Sequence, residues 1–268
     1  MNKLYIIKIG GNIIDNPAAC EQFLEQFAKI KENKILIHGG GKIATQIAEK
    51  LGTETKMIEG RRITNKPMLD VVTMVYGGLV NKNIVAQLQA FGCNAIGLTG
   101  ADAGIIEAQK RPVKDIDYGY VGDIVAVNGQ QIATFIDQNL VPIIAPLSFD
   151  RHLGKILNTN ADTMASALAV ALTSSFEVNL IYCFEKKGVL ADPTNDDSVI
   201  AKIDFETYNS LKNTGAINKG MIPKLDNAFA ALTNGVAKVT ICDANDLAET
   251  ITKNNTGTQL TLERGINK

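Results

Sequence analysis

The sequence predicts an α/β protein with a mainly parallel central sheet. Short apolar runs alternate with segments of helical periodicity along most of the 268 residues, which is typical of repeated β-α-β units. Each of the first two apolar runs ends in a glycine-rich loop that leads into a helix. Hydrophobic residues make up 46% of the chain and charged residues 21%, so an ordinary globular protein with a sizeable core is expected.

The N-terminal elements follow from this alternation and from capping residues. Asn16-Pro17 supplies a helix cap and a first-turn proline, and Gly52 and Gly92 end the next two helices. The predicted elements are, in order, a strand at 4–9, a helix beginning at Asn16-Pro17, a strand at 35–37, a helix at 42–51, a helix at 67–91 and a strand at 94–98.

The middle of the chain departs from this pattern. Between residues 105 and 128 the spacing shortens to strand alternation, and Tyr118-Gly119 and Asn128-Gly129 are turn signals, so one or two hairpins are predicted. The polar cluster at 173–175 suggests two lobes, 1–173 and 174–268. The later predicted elements are helices near 130–139, 163–172, 204–212 and 223–234, strands at 141–145, 178–183 and 237–242, a helix to about 253 and a strand near 258–262.

Charge and hydropathy exclude several classes of partner. Twenty-seven basic and 28 acidic residues leave a net charge of −1, which argues against nucleic acid as a partner. The charge-free run 83–101 contains several polar residues and glycines, so no membrane span is expected. The N-terminus runs directly into a strand without the features of a signal peptide, and we expect a cytoplasmic protein.

The cysteines and histidines do not predict a metal site. The four cysteines include no Cys-x-x-Cys pair, and neither His38 nor His152 lies at metal-ligand spacing from them. Buried, reduced thiols are expected, although one cysteine nucleophile with a distant histidine stays open.

The two glycine loops are candidate anion sites. Backbone without a Cβ can approach an oxyanion closely, and the amides of a following helix point toward it. Gly10-Gly11 and residues 39–41 both fit this description, but either can be a simple tight connection. Residues 39–44 also fit the dinucleotide pattern G-x-G-x-x-A with Glu59 about 20 residues on, which makes a dinucleotide-binding oxidoreductase a rival.

Two lysines lie where a positive charge is unfavourable without a nearby anion. Lys8 interrupts the first apolar strand just before Gly10-Gly11, where a buried charge needs a partner unless an edge strand lets it face water. Lys224 follows Pro223 in the first turn of a helix, where the helix dipole disfavours a cation. A bound phosphate would explain both positions, and solvation is the alternative.

Two further segments are candidates for binding a polar ligand. Asp162 either caps the helix that follows it or binds a ligand together with Asn158 and Asn160. Arg61-Arg62 offers guanidinium groups for a carboxylate, or else consists of solvated loop residues.

Together these motifs resemble those of the amino acid kinase family, and within it the N-acetylglutamate kinases, in order and spacing over essentially the whole chain. The resemblance implies a three-layer α/β/α sandwich and transfer of the γ-phosphoryl group of ATP, with Mg²⁺, to the side-chain carboxylate of an N-acyl-glutamate in arginine biosynthesis. The matching segments are Lys8-Ile9-Gly10-Gly11, His38-Gly39-Gly40-Gly41, Gly60-Arg61-Arg62-Ile63-Thr64, Asn158-Thr159-Asn160-Ala161-Asp162 and Lys219-Gly220-Met221-Ile222-Pro223-Lys224.

The resemblance also implies residue roles. Lys8 and Lys224 match lysines that stabilise the transferring phosphoryl group, and Asp162 matches the aspartate that holds them. It further implies phosphate contacts by Gly10 and Gly11, and substrate contacts by Gly40, Gly41, Arg62 and Asn158. The implied nucleotide-binding residues of the second lobe are Glu185, Lys186, Lys187, Gly188, Val189, Leu190, Ala216, Ile217 and Asn218. The residue chemistry agrees, since phosphoryl transfer to an ionised carboxylate needs charge and positioning rather than a general base.

The sequence departs from the family pattern at two places. Residues 185–188 read Glu-Lys-Lys-Gly instead of the usual Asp-Val-x-Gly, which affects the expected adenine and ribose contacts. Arg61 stands where leucine is common, and our hypothesis is that it binds an additional carboxylate, as in N-succinylglutamate; a solvated arginine is the alternative. Arginine-inhibited members carry a helix before the first strand, so a homodimer that arginine does not inhibit is expected.

Three other functions stay open at this point. One alternative is an N-modified aminoadipate kinase of lysine biosynthesis, whose substrate is one methylene longer than an N-acyl-glutamate. The dinucleotide-binding oxidoreductase would bind NAD and not ATP. A non-catalytic ligand sensor would bind an acyl-amino acid without phosphoryl transfer.

Overall fold

A computed structural model describes residues 1–58, 60–192, 194–215, 217, 220–253 and 256–262. The strands are β1 Lys3–Ile9, β2 Asn33–Ile37, β3 Met57–Ile58, β4 Arg61–Arg62, β5 Ala95–Leu98, β6 Ile106–Lys110, β7 Gly122–Val127, β8 Val141–Ile144, β9 Leu147–Asp150, β10 Lys155–Asn158, β11 Glu177–Phe184, β12 Lys202–Ile203, β13 Lys238–Asp243 and β14 Thr258–Leu260. The helices are α1 Gly11–Ile14, α2 Pro17–Lys29, α3 Gly41–Lys50, α4 Lys66–Val72, α5 Asn81–Ala90, α6 Gly129–Asp137, α7 Ala161–Leu172, α8 Phe205–Thr214, α9 Ile222–Thr233 and α10 Leu247–Thr252.

The main sheet forms the middle of three layers. Among the described residues it has eight strands in the order β12-β14-β13-β11-β1-β2-β8-β5, and the pairs from β13 to β5 are all parallel. Alternate residues of β1 enter two separate cores: Leu4 and Ile6 pack in the core that includes α7 and α9, while Ile7 packs in the core that includes α2 and α5. The predicted α/β fold with a mainly parallel sheet is confirmed.

Parallel pairing places the functional loops at one edge. β1 lies between β11 and β2, so their carboxyl ends lie side by side. The Gly10-Gly11 loop follows β1, the residue 38–40 loop follows β2, and the residue 185–190 segment follows β11. Ligands of open α/β sheets bind at this edge because the loops there connect strands to helices on both faces.

The predicted insertion forms a second sheet. β6 and β7 are an antiparallel hairpin, as expected, and β9 and β10 extend it to the order β10-β9-β6-β7 within the described residues. The second proposed turn, at Asn128-Gly129, is wrong as a hairpin turn. The Asn128 side chain instead accepts a hydrogen bond from Gln131 N and caps α6.

Two other features differ from the predictions or were not predicted. The helix expected at 67–91 is interrupted by a π-helical segment, Thr73–Val80, between α4 and α5. Residue 174, the expected lobe boundary, lies between α7 and β11, and the main sheet crosses it through the β1–β11 pair. In the part of the chain that is described, every helix is too short or too polar to cross a bilayer.

Candidate active site

Lys8 and Lys224 meet at one carboxylate. Lys8 Nζ lies 2.7 Å from Asp162 Oδ1, and Lys224 Nζ lies 2.7 Å from Asp162 Oδ2. Lys8 reaches this point because side chains alternate along a strand, so it follows Leu4 and Ile6 toward the layer of α7 and α9. Asp162 and Lys224 lie in the first turns of those two helices.

The simpler interpretations of these three residues are wrong. Lys8 is only 6% exposed and lies on a central strand, so it is not a solvated edge residue. The cap of α7 is Asn160, whose Oδ1 accepts from Thr163 N at 2.9 Å, which leaves Asp162 free to pair with the lysines. Lys224 is held in the ion pair rather than left in solvent.

The cluster carries a net positive charge. Burial alone would raise the pKa of Asp162, but the nearby Lys8 and Lys224 ammonium groups outweigh it and lower that pKa to about 2. Burial lowers the pKa of Lys224, and the Asp162 charge opposes that shift. Two ammonium groups and one carboxylate leave one positive charge at neutral pH, so the cluster is suited to an anion.

Aromatic side chains of β11 support the cluster. The Phe184 ring centroid lies 4.9 Å from Lys8 Nζ and 4.2 Å from Lys224 Nζ, which are cation–π distances. The Tyr182 hydroxyl lies 3.2 Å from the Asp162 backbone oxygen and 2.7 Å from Ser166 Oγ. These contacts fix the start of α7 against the sheet.

The two glycine loops pack against each other beside the cluster. A Cβ on Gly11 would lie 3.8 Å from Gly40 N and 3.9 Å from Gly41 N, and a Cβ on Gly39 would lie 3.2 Å from Gly11 N. Gly40, with a φ of 141°, caps α3 in a conformation that side chains disfavour. The first amides of α3 therefore lie next to the Gly10-Gly11 loop, as an anion site requires.

Arg62 is a buried anchor between β4 and α3. Its Nη2 donates to Gly41 O at 2.8 Å and to Thr45 Oγ1 at 2.9 Å, while its Nη1 donates to Thr55 Oγ1 at 3.3 Å. The side chain is fixed in direction before any ligand arrives.

One cavity of about 180 Å³ is lined by all four predicted substrate-binding residues, Gly40, Gly41, Arg62 and Asn158. Asn158 Nδ2 donates to Thr64 Oγ1 at 2.9 Å, and Thr64 Oγ1 donates to Arg62 O at 3.1 Å. Asn160 and Ala161 line the same cavity and directly precede Asp162, so the cavity adjoins the lysine cluster.

Two more arginines line this cavity. Arg61 lies on β4 opposite Ile58 and is exposed. Arg111 lines the cavity and donates from Nε to Asp123 Oδ1 at 3.0 Å, and its buried Nη1 has no hydrogen-bond partner among the described residues.

The predicted nucleotide segment begins directly after Phe184. Lys186 and Lys187 are exposed and pair with Asp196 and Asp197 at 2.6 and 2.7 Å. Val189 N donates to Thr258 Oγ1 at 2.8 Å. The further predicted positions are Glu185, which is exposed, Gly188, Val189 and Ile217, which are buried, Leu190, which is half-buried, and Ala216 and Asn218, which lie outside the described residues.

Two residues of the site are not predicted by the sequence. Phe184 and Tyr76 lie in apolar segments, where nothing distinguishes them from core residues. Tyr76 lines the cavity, and a Cβ on Gly40 would lie 3.2 Å from its ring. Across the described residues there is no group of three or more metal-ligating His, Cys, Asp or Glu side chains.

A model of the amino acid kinase family matches residues 3–243. The chain belongs to this family. The family prediction is confirmed, and with it the layered α/β sandwich expected of an amino acid kinase.

Relatives within the family cover nearly the whole chain. An acetylglutamate kinase of Cytophaga hutchinsonii is 60% identical over 262 residues, which are 97% of this chain and 99% of that protein. An acetylglutamate kinase of Bacteroides thetaiotaomicron is 53% identical over 258 residues, which are 96% and 98%. The solved structure of smu.665 from Streptococcus mutans has a TM-score of 0.79 at 30% identity and covers 97% of this chain and 99% of its own.

These similarities also bear on the alternatives. The chain is similar to carboxyl-group kinases, and neither the oxidoreductase nor the sensor is favoured. Glu59, the acidic residue of the dinucleotide pattern, lies outside the described residues. The glycines of that pattern belong instead to the cavity with Arg62.

Proposed function

We propose that this protein transfers the γ-phosphoryl group of ATP to the side-chain carboxylate of N-acetyl-L-glutamate, in arginine biosynthesis. The observation that carries the proposal is the Lys8–Asp162–Lys224 cluster next to a cavity that contains Arg62 and Asn158. The acetylglutamate kinases to which the chain is similar support this choice of substrate.

The reaction forms a bond between a carboxylate oxygen and the γ-phosphorus of ATP. The bond between that phosphorus and the β,γ-bridging oxygen breaks, and ADP leaves with this oxygen. Lys8 and Lys224 stabilise the charge on the phosphoryl oxygens, and Asp162 holds both lysines in place. The amides of Gly11, Gly40 and Gly41 donate hydrogen bonds to the reacting anions, and Arg62 and Asn158 bind the α-carboxylate region. The Gly10 N–H, which was also expected to contact phosphate, instead donates to Cys183 O at 3.0 Å, so Gly10 shapes the loop and is not a donor. The attacking carboxylate is already ionised, so no general base is needed.

The two parts of the chain divide this work. In our proposal residues 1–173 bind the acyl-amino acid, and residues 174–268 bind ATP. The ATP-binding segments are 185–190, which directly follow Phe184, and 216–218. Asp162 is already paired with two lysines, which makes it a poor magnesium ligand. We therefore assign Mg²⁺ to the phosphate oxygens of the nucleotide, as is usual for this ion.

A hydroxylamine trap for the acyl phosphate tests the proposal. The protein is incubated with MgATP and, separately, N-acetylglutamate, N-succinylglutamate, free glutamate and the corresponding aminoadipates. We expect an acyl hydroxamate with N-acetylglutamate that depends on ATP, and less with free glutamate or the aminoadipates. The proposal fails if no acyl-amino acid gives hydroxamate, or if the longer aminoadipate is the best substrate.

Arg61 supports a second candidate substrate, N-succinylglutamate. Arg61 and Arg111 line the cavity in addition to Arg62, whereas N-acetylglutamate has only one carboxylate that does not react. If N-succinylglutamate is the substrate, the Arg61→Leu variant should lose turnover of N-succinylglutamate selectively. Equal turnover of both substrates by the wild type, unchanged in the variant, contradicts it.

We also propose that the protein is a homodimer. Met74 and Leu79 of the π-helical segment are 54% and 46% exposed, and Phe91 at the end of α5 is 38% exposed. Large apolar side chains grouped on one helical stretch favour association. Sedimentation of a monomer at micromolar concentration, or an unchanged dimer in a Met74→Glu/Leu79→Glu variant, contradicts this interface.

A further inference from the structure

His38 forms a buried bridge between the second glycine loop and α5. Its Nδ1 lies 2.7 Å from Gly39 O, and its Nε2 lies 3.1 Å from Asn81 Nδ2. Asn81 Nδ2 also donates to Ile143 O at 2.9 Å. A carbonyl oxygen only accepts, so Nδ1 carries the proton and Nε2 accepts from Asn81.

The surroundings keep this imidazole neutral and fixed. His38 is completely buried, and burial, with Lys82 nearby, lowers its pKa to about 4 despite the bond to Gly39. Asn81 follows the π-helical segment, an irregularity that often marks functional sites. Gly97 of β5 makes room for Asn81, since a Cβ there would overlap the carboxamide oxygen.

Because the peptide unit between Gly39 and Gly40 is planar, the His38 contact also determines the orientation of the Gly40 N–H. The carbonyl of Gly39 and the N–H of Gly40 belong to one peptide unit and point in opposite directions. Fixing Gly39 O on His38 therefore fixes the direction of the Gly40 N–H. Gly40 lines the cavity, and its nitrogen lies beside the Gly11 backbone.

We propose that His38, held by Asn81, is the positioning residue that aims the Gly40 amide at the substrate anion. This inference rests on the proposed function, in which the Gly40 N–H donates to that anion. Without the His38 contact the Gly39–Gly40 peptide is free to rotate, because glycine on both sides restricts it little.

The two amide replacements of histidine separate the two contacts. The side-chain nitrogen of His38→Asn takes the place of Nδ1 and keeps the bond to Gly39 O. In His38→Gln the side-chain oxygen takes the place of Nε2 and accepts from Asn81, and the bond to Gly39 O is lost. Misaiming a donor costs part of the roughly hundredfold effect of removing one, so we expect kcat to fall at least about tenfold in His38→Gln and less than about threefold in His38→Asn. KM for ATP should stay nearly unchanged in both.

A purely structural role predicts a different result. In that case the fall in kcat follows the loss of thermal stability in each variant and does not depend on which contact was kept. That outcome overturns the inference. If His38→Gln does not fold, Asn81→Ser takes its place, since it removes the support of Nε2 and keeps the imidazole. We expect its kcat to fall about threefold to tenfold, because without Asn81 the imidazole proton is no longer held on Nδ1, whereas the amide nitrogen of His38→Asn donates in any case. An unchanged kcat overturns the inference.

A spectroscopic measurement separates this inference from the proposed function. The ¹⁵N–¹H signal of the Gly40 amide should shift in His38→Gln and stay near its wild-type position in His38→Asn, whether or not acyl-glutamate is the substrate. A wild type without kinase activity then contradicts the proposed function, while an unshifted Gly40 signal in His38→Gln contradicts the inference.

Discussion

Lys8 and Lys224 pair with the two oxygens of a single carboxylate, that of Asp162, and both ammonium groups lie within cation–π distance of one ring, that of Phe184. Lys8 comes from the first strand and Lys224 from a helix near the C-terminus. Asp162 neutralises only one of the two charges. The charge of the pair is therefore suited to an anion, and the cluster joins the first strand to α9.

Removing either lysine should impair turnover strongly. A preorganised donor of charge in a buried site commonly contributes about a hundredfold to a thousandfold to kcat, so Lys8→Ala and Lys224→Ala should each lose activity on that scale. Initial rates of acyl-hydroxamate formation at saturating ATP measure it. Lys31→Ala, at an exposed loop position, is the matched control. Activity within about threefold of wild type in either variant refutes that lysine's role.

Asp162→Asn should destabilise the fold as well as the reaction. The change keeps the side-chain shape but leaves the buried Lys8 ammonium and the half-buried Lys224 ammonium without their shared anion. Breaking a buried ion pair from one side costs about 3–5 kcal/mol. Urea unfolding measures the loss. Inorganic tripolyphosphate should raise the Tm of the variant more than that of the wild type, because a polyanion replaces the missing negative charge. Equal stability of both proteins contradicts this account.

The sequence was sufficient to locate the anion site but not its internal contacts. Lys8 in an apolar strand and Lys224 in a first helical turn are unfavourable unless an anion is near, and that cost is visible without coordinates. Whether Asp162 capped α7 or paired with the lysines depended on Asn160 taking the cap, which spacing alone does not decide. Phe184 has no signal at all, since an aromatic residue at a strand end is ordinary.

The fold, like the site, was predictable from the sequence only in part. Elements with strong periodicity and capping residues, such as α2 with Asn16 at its cap, were predicted closely. The short strands β9 and β10 were not, because polar residues interrupt the apolar run that identifies the equally short β5 and β8. Nor does local sequence report the π-helical segment before Asn81, which depends on tertiary packing.

Arg62→Lys should weaken substrate binding more than turnover. The guanidinium bonds Gly41 O and Thr45 Oγ1 from one nitrogen and Thr55 Oγ1 from another, and an ammonium group does not reproduce this fork. We expect KM for N-acetylglutamate to rise about tenfold or more, with KM for ATP nearly constant, as for loss of a charged hydrogen bond. Thr45→Val, which removes one acceptor only, should have a smaller effect. A lower kcat at unchanged KM contradicts the assignment.

His38 should make the fold sensitive to mild acid. Its pKa is lowered from 6.5 to about 4, so below pH 6.5 the unfolded chain binds a proton that the folded protein does not. The stability from neutral His38 is therefore complete above pH 6.5 and declines as pH falls toward 4. Between pH 7 and pH 5 this amounts to about 2 kcal/mol of unfolding free energy.

The His38→Asn variant isolates that contribution, because asparagine does not titrate and keeps the bond to Gly39. Urea unfolding at pH 7 and pH 5 should show a drop for the wild type that exceeds the drop for the variant by about 2 kcal/mol. Asp162, with a pKa of about 2, stays ionised throughout this range and adds nothing to the difference. Equal drops in both proteins would mean that His38 accepts a proton in the folded state as readily as in the unfolded chain, which its complete burial opposes.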